Sequence, residues 1–272
     1  MSETILSGIR IVLVEPAGPL NIGAIARVMK NMGLQQLVLV NPQCDPLGTE
    51  ARQMAVHGAD LLEAAQRVAS LPEALRGAQR AIATTARDRS LRIESELPRT
   101  ALPWLLGTSS ALIFGPEERG LSNTELNYAQ RFMRIPSSPT YPALNLAQAV
   151  AICCYELYQL AQNNPPPLES ERRALSLSPN SPCLFLEQKN FSPEASLDNL
   201  EGYYQQLEAV LLRIGYLYPH TAASQMAKFR RLFNRAQLSS REVAMLRGIL
   251  SQVEWAIRPD LPPNSPSRAD SV

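Results

Sequence analysis

The chain has 272 residues, 45% of them apolar and 19% charged, with a formal net charge of +1. That leaves room for one full core and a small second domain. No stretch reaches the ~20 apolar residues that cross a bilayer, and Met1-Ser2-Glu3-Thr4 has no secretion signal, so a soluble, cytoplasmic protein is expected.

In chain order, Ile9–Val14 is short, β-branched and apolar, as a strand buried on both faces of a parallel sheet should be. Beyond Pro16-Ala17-Gly18-Pro19, the spacing of Ile25, Val28, Met29 and Met32 predicts a helix with one buried stripe, stopped by Gly33. Leu37–Val40 reads as the next strand, and a helical stretch is expected over Asp60–Arg76, broken near Pro72. Short strands follow at Ala81–Thr84, Ala111–Phe114 and Phe132–Ile135, with Ser122-x-x-Glu125 as a capping box between the last two. Asn145–Leu160 is a long helix with the apolar stripe Leu146, Ala149, Val150, Cys153, Leu157 and Leu160. Strands alternating with helices predict an α/β domain with a mainly parallel sheet over residues 1–161.

Residues 162–195 change character, with Asn163-Asn164-Pro165-Pro166-Pro167 opening a proline-rich linker. From 196 to 258, two apolar stripes predict a small helical module of two amphipathic helices. The first runs Leu197, Leu200, Tyr204, Leu207, Leu211 and Ile214. The second, Leu246, Ile249, Leu250, Val253 and Ile257, follows the capping box Ser239-x-x-Glu242. The tail 259–272 is expected to be disordered.

Charge is unevenly distributed. Residues 161–212 carry 3 basic and 7 acidic side chains, whereas 213–258 carry 8 and 2, a net of +6 centred on Lys228–Arg235. A local cluster of this kind suits a polyanion, or it is a solvated helix face. The cysteines (Cys44, Cys153, Cys154, Cys183) lack CxxC spacing and only His57 and His220 could join them, so no metal is expected. Cys153 and Cys154 read as small apolar residues inside a helix. A Cys-His nucleophile stays open, with nothing in the spacing to argue for it.

Three motifs stand where strands run into helices: Asn21-x-Gly23-x-x-x-Arg27, the loop Phe114-Gly-Pro-Glu-Glu-Arg-Gly-Leu-Ser122, and Pro142-Ala-Leu-Asn-Leu-Ala-Gln-Ala-Val150. Gly18-x-x-x-x-Gly23 has P-loop glycine spacing, but Ala24-Ile25 replaces the required Lys-Ser/Thr, and no GxGxxG follows a strand. Arg27 lies opposite the apolar stripe, and Gly23 one turn earlier is expected to leave open space for a ligand beneath the guanidinium. Asn21 reads as a helix cap or a ligand contact. Glu117 is an exposed acid of a turn or an acceptor for hydroxyl, amine or arginine groups. Asn145 is a helix cap or the organiser of a ligand-facing loop.

In their order and spacing these motifs resemble the SpoU branch of the SPOUT RNA 2′-O-ribose methyltransferases. Within it, Leu144–Val150 and the C-terminal Leu232-Phe-Asn-Arg-Ala236 and Leu246-Arg-Gly-Ile-Leu250 make the chain similar to the TrmJ-type enzymes acting on a pyrimidine ribose in the tRNA anticodon loop. The resemblance implies a methyltransferase domain with a C-terminal trefoil knot, S-adenosylmethionine as cofactor, tRNA as partner and a homodimer packed on the Asn145–Leu160 stripe. It implies cofactor loops containing Thr84, Thr85 and Ala86, then Gly115, then Ile135, Pro142, Ala143 and Leu144. Arg27 matches the family's central catalytic arginine, and Asn21, Glu117 and Asn145 accompany it. Ala143 departs from the serine common there, so the role of that hydroxyl is either missing here or taken by a neighbour such as Tyr141. Lys228, Arg230, Arg231 and Arg235 become RNA contacts, with Phe229 and Phe233 packing in the core or stacking on a base. Two alternatives remain: a ribosomal RNA methyltransferase, or an RNA-binding protein of this fold without catalysis.

Overall fold

In the computed structural model, which describes residues 5–85, 95–163 and 194–258, six strands form one sheet. They are β1 (Ile9–Val14), β2 (Gln36–Val40), β3 (Gln66–Val68), β4 (Arg80–Thr84), β5 (Ser110–Phe114) and β6 (Arg131–Met133), ordered β3-β2-β1-β5-β4-β6. Every pairing is parallel, so all six C-terminal ends open on the same edge. The chain leaves β1 toward β2 on one side and β5 toward β6 on the other. β1 and β5 therefore flank the crevice where an open α/β sheet takes its ligand.

Alternation along the strands sorts the core into two faces. Ile9, Ile11, Leu13, Leu37, Leu39, Leu112 and Phe114 point into one cluster, and Val12, Val14, Val38, Val40, Ala81, Ala83 and Ala111 into the other. The larger residues meet α1 (Pro19–Asn31), α2 (Thr49–Ala55), α3 (Ala59–Ala64) and α7 (Leu146–Asn163). Each fully buried Ile or Leu contributes about 1.5–3 kcal/mol. The smaller face is shared with α4 (Leu71–Ala74), α6 (Asn123–Leu126) and the C-terminal helices. A short α5 (Pro98–Ala101) precedes β5.

Two expectations need correction here. Asp60–Arg76 is not one helical stretch: α3 ends at Ala64, β3 follows, and only Leu71–Ala74 is helical beyond it. β3 is a sheet edge whose Gln66 and Arg67 are exposed. Backbone pairing to Val38–Val40 holds it, and such pairing leaves no apolar pattern to read. The C-terminal module has three helices, not two: α8 (Leu197–Arg213), α9 (Ala222–Ala236) and α10 (Ser240–Ala256). α9 carries the Lys228–Arg235 cluster. Both predicted capping boxes are present, at Ser122/Glu125 and Ser239/Glu242.

The module is bolted to the sheet domain. Arg80 grips Glu194 with Nε and Nη2 at 2.9 and 2.6 Å, Leu197 N donates to Ala78 O at 2.7 Å, and Gly77 N donates to the Asp198 carboxylate at 2.9 Å. Ala86, Cys183, nearly all of the linker and the tail from residue 259 lie outside the described residues.

Candidate active site

Three residues drawn from the three motifs meet directly. Asn21 Nδ2 donates to Glu117 Oε1 at 2.8 Å, and Asn145 Nδ2 donates to Asn21 Oδ1 at 3.0 Å. Glu117 also accepts from the backbone N–H groups of Ala17 and Gly18, both at 3.3 Å. Its carboxylate thus sits at the start of the 13-residue helix α1, where the helix dipole favours negative charge. Asn21 is therefore not the cap: Gly18 holds that position, and Asn21 links two loops instead. Asn145 does cap α7, with Oδ1 accepting from Ala147 N at 2.9 Å and Gln148 N at 3.4 Å. The same side chain caps one helix and ties it to another.

The loop after β5 is stiffened from within. A Cβ on Gly115 would fall 2.3 Å from Leu121 N, and Gly120 has φ +65°, so the glycines let the loop fold back on itself. Arg119 then spans the loop's far side, donating to Glu15 at 2.6 Å and to both Glu125 oxygens at 2.8 and 2.9 Å. Hydrogen bonds to Glu125 and Glu15 push the Arg119 pKa above its ordinary value. Burial opposes the Glu125 charge, but Arg119 and the Ser122 cap outweigh it, leaving that carboxyl below its usual range.

Behind the relay lies an open cavity at the strand ends. Thr84, Thr85, Gly115, Ile135, Pro142, Ala143 and Leu144 all line it. These are the predicted cofactor-loop residues apart from Ala86, which lies outside the described residues. Phe114, Pro116, Leu121, Leu146 and Ala149 add apolar wall that motif reading did not single out. All five stand inside the second and third motifs, and that membership was the signal that could have found them. Tyr141, near Ala143 in sequence, is 79% exposed and stands outside the cavity lining.

Arg27 occupies a different place. It is exposed, has no hydrogen bond or ion pair among the described residues, and is absent from the cavity lining. The space beneath it is filled. A Cβ on Gly23 would lie 2.2 Å from Ala51 O and 2.9 Å from Met54 Cβ, so this glycine allows α1 and α2 to touch. Leu20, Ala24, Arg27 and Asn31 line the outward stripe of α1.

The stripe expected to form a dimer contact is otherwise engaged. Leu146, Val150, Cys153 and Leu157 are buried in the chain's own core. Ile152 and Tyr155, on the opposite side of α7, are the exposed large apolar residues of that helix. Cys153 and Cys154 are core residues, as expected. Burial pushes both thiols up, Cys154 to about 12, so neither is a thiolate nucleophile at neutral pH. Cys44 is likewise raised by burial and by the Glu117 and Asp45 charges.

On α9 the predicted RNA contacts divide. Lys228, Arg231 and Arg235 are exposed. Arg230 turns inward, donating to both Glu201 oxygens at 2.6 and 2.9 Å, with its guanidinium 4.5 Å from the Tyr204 ring centroid. Asn234, one turn on, is buried: it accepts from Tyr204 Oη at 2.8 Å and donates to Ala129 O at 3.3 Å. These two residues hold the module on the turn between α6 and β6. Phe229 and Phe233 pack against the second core, Phe233 edge-on to Tyr203 at 5.3 Å.

Comparison with known proteins gives two family matches. Residues 8–155 match the SpoU rRNA Methylase family, and 198–262 match the tRNA methyltransferase TrmJ C-terminal domain. The chain is similar to the tRNA (cytidine/uridine/adenosine-2′-O-)-methyltransferase TrmJ of Pseudomonas aeruginosa, at 39% identity across 93% of this chain and 96% of that one. It is 38% identical to the tRNA (cytidine/uridine-2′-O-)-methyltransferase TrmJ of Pectobacterium atrosepticum, across 92% and 98%. Among solved structures, TrmJ from Z. mobilis superimposes with TM-score 0.74 at 27% identity, covering 90% of this chain and 98% of that one. A probable methylase family protein from Haemophilus influenzae gives TM-score 0.56 at 32% identity, covering 93% and 98%.

Proposed function

This chain belongs to the SpoU rRNA methylase family, and from that premise we propose that it methylates the ribose 2′-hydroxyl of a pyrimidine in the tRNA anticodon loop. The observation that carries the reading is the Glu117–Asn21–Asn145 relay, which draws the three motifs together at the β1/β5 crevice. The near full-length likeness to tRNA 2′-O-methyltransferases favours tRNA over ribosomal RNA.

The donor is S-adenosylmethionine, which when bound supplies a methyl group already activated on a sulfonium. The cavity suits such a group: apolar walls from Phe114, Leu121 and Leu146, hydroxyls from Thr84 and Thr85, and loops rich in backbone donors and acceptors. The protein's work is then alignment and charge. Glu117, by fixing Gly18 and Asn21, sets the start of α1 against the cofactor loops, which orients the hydroxyl toward the cavity. A guanidinium offers N–H donors and no acceptor atom, so Arg27 is assigned no general-base role. It holds the phosphate beside the target ribose and stabilises the alkoxide as the hydroxyl proton leaves to water.

The chain acts as a cytoplasmic homodimer whose contact is the outward face of α1, α2 and α7. Leu20, Met54, Ile152 and Tyr155 are exposed on these helices, as is Val56 just past the end of α2. A dimer closed on this face puts Arg27 at the seam between two copies, in keeping with its absence from its own cavity lining. The trefoil knot belongs to the same reading, supported by the strand order β5-β4-β6 and by α7 packing back against α1. The outer side of α9 binds tRNA phosphates.

The test is transfer of labelled methyl groups to unmodified tRNA and, separately, to ribosomal RNA. Label on tRNA is expected. Label confined to ribosomal RNA would replace the substrate, and cofactor binding without label on any RNA would favour a non-catalytic RNA-binding protein.

A further inference from the structure

The loop joining α8 to α9 carries a cluster that methyl transfer does not use. Tyr216 and Tyr218 are 63% and 59% exposed, while Leu217 between them is 3% exposed and anchors the loop in the module's core. The backbone is tied at both ends. Tyr216 N and Leu217 N both donate to Leu211 O, at 2.9 and 3.0 Å, and Thr221 N and Ala222 N both donate to Tyr218 O at 2.9 Å. The two rings are therefore held outward on a fixed backbone.

The stretch of chain that carries them is basic. Tyr216 leans on Phe229, with centroids 6.4 Å apart, beside the exposed Lys228, and Tyr218 stacks on His220 at 5.9 Å and 26°. From Glu208 to Glu242 no Asp or Glu intervenes, while Arg213, Lys228, Arg231, Arg235 and Arg241 are all exposed. Isolated surface aromatics are ordinary. Pre-set rings carried on a stretch of chain that is basic and free of Asp and Glu fit a narrower class of partner, a polyanion that offers flat π faces. A duplex buries its base faces in its own stack, so an unpaired strand fits better.

We propose that Tyr216 and Tyr218 form a base-stacking platform for unpaired nucleotides of the RNA substrate, with Lys228 taking a flanking phosphate. The proposal rests on the reading that this chain binds tRNA, and it identifies the part of the helical module that prefers single-stranded over paired RNA.

The test compares full-length wild-type protein with Tyr216→Leu/Tyr218→Leu and Tyr216→Phe/Tyr218→Phe. Fluorescence anisotropy is read on a dye-labelled unmodified tRNA and on a blunt RNA duplex, over a salt series. The Leu pair should lose about ten- to a hundredfold in tRNA affinity. Its duplex binding and its salt slope should be unchanged, because no charge is removed. The Phe pair, which keeps both rings, should match wild type. Unchanged tRNA affinity in the Leu pair would overturn the platform, as would an equal loss on tRNA and duplex. A wild-type chain that bound no tRNA would instead sink the underlying reading, and the platform with it.

Discussion

The strand-end crevice and helix α9 both present short polar motifs, yet they use them in opposite ways. In the crevice, Asn21, Glu117 and Asn145 come from distant parts of the chain and bond to one another. On α9, neighbouring residues part company: Arg230 and Asn234 turn in toward Glu201, Tyr204 and Ala129, while Lys228, Arg231 and Arg235 face solvent. A motif marks residues that matter, and geometry decides whether they matter to a ligand or to the fold.

The sharpest break in this comparison is Arg27→Ala. It should lower methyl transfer by more than about a hundredfold and leave S-adenosylmethionine affinity, measured by calorimetry, at the wild-type level. Next comes Arg230→Ala, which leaves Glu201 uncompensated with its side chain 17% exposed. About 3 kcal/mol of stability should be lost in urea unfolding, whereas Arg231→Ala should unfold like wild type. Equal stability of the two variants would erase the division of α9 into inner and outer faces.

Glu117→Gln should be milder. It removes the charge that holds Gly18 and Asn21, and kcat/KM should fall about tenfold, roughly the 1.5 kcal/mol expected for a charge-assisted hydrogen bond. The smallest effect concerns salt. Neutralising Lys228, Arg231 or Arg235 should each reduce the slope of log affinity for tRNA against log salt by roughly 0.7–0.9, and Arg230→Gln should leave that slope unaltered.

Much of this was legible in the sequence, for identifiable reasons. β1, β2, β4 and β5 were visible because strands buried on both faces become apolar runs. β3 was hidden because an edge strand such as Gln66–Val68 rests on backbone pairing. The helical period could also have separated Arg230 and Asn234, at i and i+4 beside Met226 and Phe233, from Lys228, Arg231 and Arg235. Charge composition alone merged them. Gly23 misled for another reason: a glycine signals close approach, but not whether a ligand or a neighbouring helix approaches, and here it is Ala51. The relay itself joins residues 96 and 124 positions apart, which no local pattern encodes.

The central claim is that one site, built from three separated motifs, acts on a ribose hydroxyl of the anticodon loop. Its most direct test is labelled methyl transfer to paired tRNA transcripts that differ by a single 2′-deoxy pyrimidine in that loop. Loss of label from the deoxy transcript at one loop position, with tRNA affinity unchanged, is the expected result. Equal labelling of both transcripts at every pyrimidine of the loop would contradict it.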